Sequence, residues 1–365
     1  MRRALLLLAA LLCLPLLGGC DAAITERQTF VLCLSLDTTE DGKLSLGVLT
    51  PMNGEGASTG AAPNYAFFSA MGDGFEETLS ILAASTPCPL NFCQLRLCVV
   101  SYDLAARQEL RPLLKQLTEL HSMRPDAVVM IAVGKAEEAI RAINPDFGMR
   151  ISTYLNIYLE RMIDLGLTPG TTLTDCVRGL GSGRGDPLLS ICAVNPVVKQ
   201  EQEKQSQQQS GGEGDQKQVD ASAVFSGGEP WSAPPVPEGL MAGALPRQGN
   251  NPIEYLGSAA VGNGRVSGLL DARETELLLR LRRTARIAVA IDGQRTQLQL
   301  RLPKEPEAPD AVPPDEALRV LQKLQALHCD GLGFGGACAR TVYTDQEWTE
   351  LGFENRYARA ELYVE

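Results

Sequence analysis

Two short segments contain residue types that carry out catalysis or metal binding in other proteins. Segment 56–60 (GASTG) fits the G-x-S-x-G nucleophile elbow of serine hydrolases. A working elbow needs a strand before it, a helix after it, and Asp and His within reach. Here Pro63 follows almost at once, and the chain has two histidines, His121 and His328. We interpret the segment as a loop.

The other segment has three cysteines, Cys88, Cys93 and Cys98, in the spacing C-x4-C-x4-C. This is not a common zinc spacing, and no histidine lies nearby. Cys93 and Cys98 are an odd number of positions apart, so on one strand they would point to opposite faces. The pattern favours small buried hydrophobic residues or a disulfide over a metal site.

An adhesion tripeptide, Arg184-Gly185-Asp186, is followed directly by Pro187, and we interpret it as a turn. The chain has no Walker A pattern, dinucleotide fingerprint or H-E-x-x-H pattern. The sequence therefore nominates no catalytic, cofactor-binding or metal-binding residue, and no cofactor is expected.

The first twenty residues indicate export and lipid attachment at Cys20. Arg2 and Arg3 precede an apolar run, and Gly18 and Gly19 stand before the cysteine. Residues 1–19 are therefore predicted to be a signal peptide. The run is shorter than the roughly 20 residues of a membrane-spanning helix. The end of the segment resembles a lipobox, in which the thiol receives diacylglycerol and the new N-terminus a fatty acid such as palmitate. Two acyl chains anchor a protein stably. The alternative is an ordinary secreted protein.

The charge of the chain disfavours nucleic-acid partners. The sequence has 33 Lys and Arg against 44 Asp and Glu, a formal net charge of −11. Such a body should repel nucleic acid and anionic lipid head groups.

The elements that would position functional residues alternate between strand and helix. Residues 29–50 are predicted to form a hairpin, 75–84 and 104–120 helices, and 92–102 and 127–133 strands. Further helices are expected at 135–143 and 151–165. The fold class predicted is α+β (mixed α/β), with separate N-terminal and C-terminal mixed-sheet domains. The N-terminal domain would span 20–195, divisible into 20–147 and 148–195.

Residues 196–252 differ sharply in composition from their surroundings. A run rich in Gln and Glu leads into a stretch rich in Pro, Gly and Ala. Such a segment buries too little apolar surface to offset its ordering entropy, so a disordered linker is predicted. A partner-binding arm is the alternative.

The C-terminal domain is predicted over 253–365. Two strands, 255–261 and 265–270, flank an Asn-Gly turn, and Asp271 with Glu274 forms a capping box for a helix over 272–283. Strands at 285–292 and 296–302, helices at 316–328 and near Glu347, and a last strand at 357–364 follow.

Four blocks carry a resemblance to the Ger(x)C family, the lipoprotein C subunits of bacterial spore germinant receptors. The first runs from Cys20 through Glu26-Arg27 to the strand that ends at Asp37. The others are 147–191, 255–279 and 330–335, the last similar to an Asp-x-x-Gly-Phe-Gly segment. The chain departs from the family pattern at Asp21, where an aromatic residue is common, and in its longer linker.

The resemblance implies a non-enzymatic, lipid-anchored receptor subunit in spore germination. It would lie on the outer face of the spore inner membrane and assemble with two membrane-embedded partners, the A and B subunits. The alternative is a solute-binding lipoprotein that delivers a small molecule to a transporter, but such proteins usually have two similar α/β lobes.

Segment 330–336 is the most motif-like stretch of the C-terminal domain. A phosphate loop should open a helix and usually contains Lys, whereas this stretch follows a helix and has no Lys, Ser or Thr. A structural role of segment 330–336 is favoured over a surface that docks a partner. Asp330 begins the motif, and Gly331 is expected to stop the preceding helix with positive φ. Gly333 and Gly335 are expected to allow close backbone contacts. Leu332 and Phe334 are expected to face the core.

Overall fold

The computed structural model describes residues 27–51, 65–143, 150–166, 168–195, 253–303, 311–341 and 344–365. The strands are β1 (Thr29–Phe30), β2 (Cys33–Thr38), β3 (Leu44–Pro51), β4 (Tyr65–Gly72), β5 (Leu90–Asn91), β6 (Leu97–Ser101), β7 (Val128–Ala132), β8 (Leu188–Val194), β9 (Ile253–Gly262), β10 (Arg265–Asp271), β11 (Arg286–Asp292), β12 (Arg295–Arg301) and β13 (Glu361–Val364).

The helices before residue 196 are α1 (Phe75–Ser85), α2 (Tyr102–Arg107), α3 (Leu110–Glu119), α4 (Ala136–Arg141), α5 (Ile151–Asp164) and α6 (Leu173–Ser182). Those after residue 252 are α7 (Ala272–Thr284), α8 (Pro314–Ala326), α9 (Phe334–Ala339), α10 (Asp345–Leu351) and α11 (Phe353–Tyr357). The predicted mixed α and β fold class is confirmed.

The largest sheet has eight strands in the order β10-β9-β8-β7-β6-β2-β3-β4. Its four central strands, β8, β7, β6 and β2, are parallel, and an antiparallel pair extends the sheet on each side. The central strands are buried on both faces, as β6 and β7 show by having every residue buried. This is the expected pattern for parallel strands covered by helices.

Helices cover both faces of this sheet. Leu82 of α1, Leu114 of α3 and Cys176 of α6 pack on one face, in a cluster that α2 also joins. Ile140 of α4 and Leu155 of α5 pack on the other face. The amphipathic spacing of these helices explains why each buries a single stripe.

A third apolar cluster holds the C-terminal elements together. It combines α7, α8, α9 and α11 with the sheet β11-β12-β13, and its largest fully buried side chain is Phe334. Leu188, Ala260 and Leu270 of the large sheet belong to the same cluster. The C-terminal elements are therefore packed directly onto the sheet that the N-terminal half begins.

The large sheet crosses the domain limits predicted from the sequence. β9 pairs antiparallel with β8, with Val194 opposite Ile253, and β10 pairs with β9. The limits of 20–195 and 253–365 remain predictions. Backbone hydrogen bonds nevertheless place the first two strands after residue 252 in the N-terminal sheet. The predicted linker, 196–252, lies outside the described residues.

Deleting residues 201–243 is expected to change the free energy of unfolding by only about 1 kcal/mol, because each halving of a loop changes its closure cost by ~0.6 kcal/mol. Val194 and Ile253 lie opposite each other, so the shortened connection has almost no distance to span. Urea denaturation of the deletion variant and the parent measures the difference. Loss of cooperative unfolding would show that the deleted segment contributes to a core.

Several local predictions are confirmed and others are wrong. The hairpin over 29–50 is present as β2 and β3, and Asp271 and Glu274 form the predicted capping box of α7. The single helix predicted over 104–120 is instead two helices. Leu110 N donates to the carbonyl of Gly264 at 2.7 Å, and this tertiary contact accompanies the break between α2 and α3. β4, β8 and α9 are absent from the predicted elements.

Candidate functional site

Cys20, the predicted lipidation site, lies outside the described residues, as does the elbow-like segment 56–60. The other predicted site residues, Asp330, Gly333, Phe334 and Gly335, lie at the start of α9. The candidate site is therefore this segment together with the residues that contact it.

Asp330 caps the N-terminus of α9 with both carboxylate oxygens. Oδ1 accepts hydrogen bonds from the backbone N–H groups of Gly333 (3.0 Å) and Phe334 (2.8 Å), and Oδ2 accepts one from Gly335 (2.6 Å). A carboxylate at this place satisfies donors that have no partner within the helix and interacts favourably with the helix dipole. Asp330 is only 6% exposed, so these three bonds are shielded from water.

The glycines of this segment have two different roles. Gly333 has φ of +83°, a left-handed conformation in which other residues are strained, while a Cβ there would meet open space. At Gly335, by contrast, a Cβ would lie 3.0 Å from the backbone carbon of Arg184. The predicted close backbone approach at Gly335 depends on its missing Cβ. Gly333 is needed for its backbone angles, and its backbone lies close to Gly185, where a Cβ would be 3.3 Å from Gly333 Cα.

The prediction for Gly331 is wrong. Positive φ falls at His328 (φ 52°), and Gly331 is not among the residues with positive φ. α8 ends there in a Schellman motif, because Cys329 N donates to Leu324 O and His328 N to Gln325 O, both at 3.0 Å. Segment 330–336 also opens a helix, α9, besides following one.

Asp186, the last residue of the adhesion-like tripeptide, pairs with Asp330 through the backbone. Oδ2 of Asp186 accepts from the N–H of Asp330 at 2.7 Å, and the N–H of Asp186 donates to the carbonyl of Asp330 at 3.1 Å. We call this contact between the loop 183–187 and the segment 329–335 the Asp186–Asp330 junction. It joins the second and fourth blocks that carry the family resemblance, although 144 positions separate the two residues.

Neighbouring side chains hold the junction on several sides. Arg282 of α7 donates from Nε to the carbonyl of Gly331 at 2.8 Å, and Tyr357 donates its hydroxyl to the carbonyl of Cys329 at 2.9 Å. On the loop side, Trp348 Nε1 donates to the carbonyl of Ser182 at 3.2 Å. The junction therefore connects the loop after α6 with α7, α10 and α11.

Arg184 of the tripeptide is engaged within the chain. Its guanidinium forms an ion pair with Asp345 at 3.1 Å and lies 5.9 Å from the ring centre of Trp348. The tripeptide occupies the loop between α6 and β8, in agreement with the turn predicted from Pro187.

Burial shifts the titration of both carboxyl groups at the junction. Burial raises the pKa of Asp330 to about 6. The three backbone N–H groups and the charge of Arg282 favour the charged form and so oppose this increase. Burial also raises the pKa of Asp186 to about 7, opposed by the N–H of Asp330 and reinforced by the charges of Asp330 and Glu354. Both groups titrate well above an ordinary aspartate.

These shifts predict a pH dependence of stability. Between pH about 4 and about 7 the folded state binds more protons at Asp186 and Asp330 than the unfolded state does. The stabilisation that these two groups contribute to the folded state is therefore complete below their pKa in the unfolded chain, and it is lost as pH rises through their pKa in the folded chain. Asp186→Asn keeps an acceptor for Asp330 N but cannot titrate. Urea denaturation at several pH values measures the free energy of unfolding of the parent and of this variant. The parent's value minus the variant's value should fall as pH rises from 5 to 8. A difference that stays constant or rises would contradict the assigned shifts.

The carboxyl ends of the parallel strands are where many α/β proteins bind ligands. Here Asp37 at the end of β2 accepts from the N–H groups of Ala136 (2.7 Å) and Glu137 (2.9 Å), at the start of α4. Asp37 is 6% exposed, and burial raises its pKa. The chain's own carboxylate thus occupies the anion position at this helix end. The sequence pattern places Asp37 at the end of the first strand, but no local signal predicts that it caps α4.

The cysteines of the described residues are free thiols. Cys93 is exposed and lies outside β6, while Cys98 is buried within it, so the two do not share one strand. Burial raises the pKa of Cys98 and of Cys192 to about 12. Such thiols stay protonated and act as small hydrophobic residues. Within the described residues, no group of three or more His, Cys, Asp or Glu side chains could hold a metal ion.

In the part of the chain that the structure describes, no helix combines the length and apolar character needed to cross a bilayer. The fold and the junction define a mixed α/β protein whose motif residues bind its own backbone. Residues 21–194 match the family described as the spore germination protein N-terminal domain. This match supports the assignment of the chain to the Ger(x)C family of spore germination proteins.

Curated protein sequences give no match to the chain. Among solved structures, the crystal structure of the GerBC protein is similar over 91% of this chain and 94% of that chain, with a TM-score of 0.43 and 10% sequence identity.

Proposed function

We propose that the chain is a non-enzymatic, lipid-anchored subunit of a nutrient germinant receptor. It is anchored through Cys20 on the outer face of the spore inner membrane and assembles with the membrane-embedded A and B subunits. One observation carries the proposal: the family match begins at residue 21, directly after the cysteine of the lipobox-like sequence. The family domain would then start at the first residue after the anchor.

The chemistry of the junction supports a role without catalysis. A catalytic carboxylate must present an oxygen to a substrate. Both oxygens of Asp330 accept backbone N–H groups, and Oδ2 of Asp186 does the same. Their raised pKa values follow from burial in a structural contact, a common source of perturbed titration outside active sites.

The solute-binding alternative receives less support from the fold. Ligand sites for small molecules are clefts of several hundred Å³. The apolar cavity between α5 and the sheet, lined by Tyr154, Tyr158 and Tyr255 among others, has a volume of about 10 Å³. That is the space of roughly one water molecule. The large sheet is also continuous, so the described residues do not form two similar lobes.

The anchor is tested by the variant Cys20→Ala. Because the thiol is the group that receives the diacylglycerol, the variant should accumulate as an unprocessed precursor and incorporate no labelled fatty acid. Labelled palmitate and gel mobility measure both effects in the producing cell, and Cys13→Ala, within the predicted signal peptide, is the matched control that should be labelled like the parent. Label that persists in Cys20→Ala would exclude this residue as the anchor.

The receptor role is tested in spores that lack the chain. They should fail to germinate with the nutrients to which the receptor responds, yet germinate normally with an agent that bypasses nutrient receptors. Expression of the parent chain in the same spores should restore the response. Normal nutrient germination without the chain, in spores that have no second receptor for that nutrient, would contradict the role.

A further inference from the structure

The loop 183–187 makes a contact that can separate from the structure beneath it. Asp186 is half-buried at the rim of this contact, whereas Asp330 below it is 6% exposed. Two hydrogen bonds cross the contact, from Asp330 N to Asp186 Oδ2 at 2.7 Å and from Asp186 N to Asp330 O at 3.1 Å. Because both bonds join the same two residues, one outward movement of the loop breaks them together.

The remaining contacts of the loop are polar and lie near the surface. The ion pair between Arg184 and Asp345 has exposed side chains on both sides, and such pairs stabilise a fold only slightly. Trp348 Nε1 donates to the carbonyl of Ser182 at 3.2 Å, just before the loop. Residues 183–186 contribute no side chain to the three apolar clusters of the described chain. The loop can therefore leave segment 329–335 while those clusters stay closed.

The charges around Asp186 are unbalanced. The charges of Asp330 and of Glu354 on α11 both act on the carboxyl group of Asp186. Arg282 of α7 is a cation that acts on Asp330, but its Nε and Nη2 donate to the carbonyl of Gly331 instead of to a carboxylate. With both carboxyl groups ionised, like charges therefore face each other in a contact that is partly shielded from water. The other titratable or charged groups that face the pair are Cys329, Tyr357, Asp345 and Arg184.

We propose that the Asp186–Asp330 junction is a proton-dependent latch. The latch is closed while at least one of the two carboxyl groups holds a proton, and it opens when both are ionised, so that the loop 183–187 leaves segment 329–335. The cap of α9 stays in place, because ionised Asp330 keeps its bonds to the N–H groups of Phe334 and Gly335. The latch is a local opening, distinct from unfolding of the whole chain, and it does not depend on the receptor role.

The direction of the response follows from the two environments of Asp186. In the closed latch, burial raises the pKa of Asp186 to about 7, and this effect is larger than that of the Asp330 N–H, which favours the charged form. In the open latch the carboxyl group returns to water, where an aspartate has a pKa of about 4. The closed state therefore holds the proton more tightly. The equilibrium constant for opening should rise ~10-fold per pH unit up to pH about 7 and level off above it.

The test is amide hydrogen exchange of the full chain in detergent micelles, followed by NMR and corrected for the intrinsic pH dependence of exchange. The N–H groups of Asp330 and Asp186 report on the latch, because both bond across the junction. The N–H of Phe334 is the internal reference, since it bonds within segment 329–335. In the parent, the opening constant of the two reporters should rise ~10-fold from pH 6 to pH 7. Phe334 and the amides of β6 and β7 should stay protected.

Two variants assign the response to Asp186. Asp186→Asn keeps an acceptor for Asp330 N but cannot titrate, so its opening constant should change less than ~3-fold over the same range. Asp345→Asn is the matched control, because it removes an exposed carboxylate that contacts the same loop through Arg184. It should keep the response of the parent.

Three results would overturn the latch. The first is a corrected exchange rate of the two reporters that does not depend on pH, and the second is a pH response that Asp186→Asn retains. The third is a loss of protection at Phe334 and in β6 and β7 in parallel with the reporters. In that case the whole chain unfolds and the junction does not open by itself.

Discussion

Replacing Asp330 by alanine is expected to lower the free energy of unfolding by about 3–5 kcal/mol. The carboxylate accepts three backbone N–H groups at the start of α9, in a site that is 6% exposed. Its removal leaves the N–H groups of Phe334 and Gly335 without this partner, whereas Gly333 N still donates to the backbone carbonyl of Asp330 at 3.2 Å. Each buried unsatisfied donor costs about 1–3 kcal/mol, less where water can enter the space left by the side chain. Urea denaturation of the whole chain measures the loss.

Two matched variants separate the capping role of Asp330 from a simple loss of charge. Asp330→Asn keeps one carbonyl oxygen but turns an NH2 group toward the N–H donors, so an intermediate loss is expected. Asp345→Ala also removes a carboxylate, but that side chain is 97% exposed and should leave stability nearly unchanged. Equal small losses in Asp330→Ala and Asp345→Ala would contradict the capping role.

Replacing Phe334 by alanine is expected to cost about 3–5 kcal/mol, the range observed for buried Phe→Ala changes. Phe334 is fully buried in the third cluster, beside elements of both halves of the chain. Because Leu188 and Ala260 of the large sheet share that cluster, the measurement needs the whole chain. Thermal or urea unfolding gives the difference from the parent.

The control for this variant is Phe334→Leu, which keeps most of the apolar volume and should cost less than half as much. A Phe334→Ala chain that melts like the parent but no longer assembles with the membrane subunits would show a different role. Segment 330–336 would then be a docking surface rather than part of a core.

What the sequence predicts well is local. The capping box of Asp271 and Glu274 depends on residues three positions apart, and the hairpin over 29–50 on two apolar runs around a turn. Such signals lie within one element and its ends. The structural role of the Asp-x-x-Gly-Phe-Gly segment is likewise a prediction from a short piece of chain.

What the sequence does not predict depends on contacts between distant segments. The pairing of Asp186 with Asp330 has no local signal, nor does the capping of α4 by Asp37 across 99 positions. The ends of α8 and α2 are further cases, because His328 adopts positive φ without being glycine and Leu110 bonds Gly264. β9 and β10 resemble an isolated hairpin in sequence, and only tertiary structure shows that they extend the large sheet.

The most direct test of the proposed receptor role is affinity purification of the tagged chain from detergent-solubilised spore inner membranes, followed by mass spectrometry. Two membrane-embedded proteins, the A and B subunits, are expected to be recovered with the chain in constant proportion. The chain is also expected to carry acyl groups on residue 20. A lipid-bearing chain recovered under the same mild conditions without either subunit would contradict the receptor role.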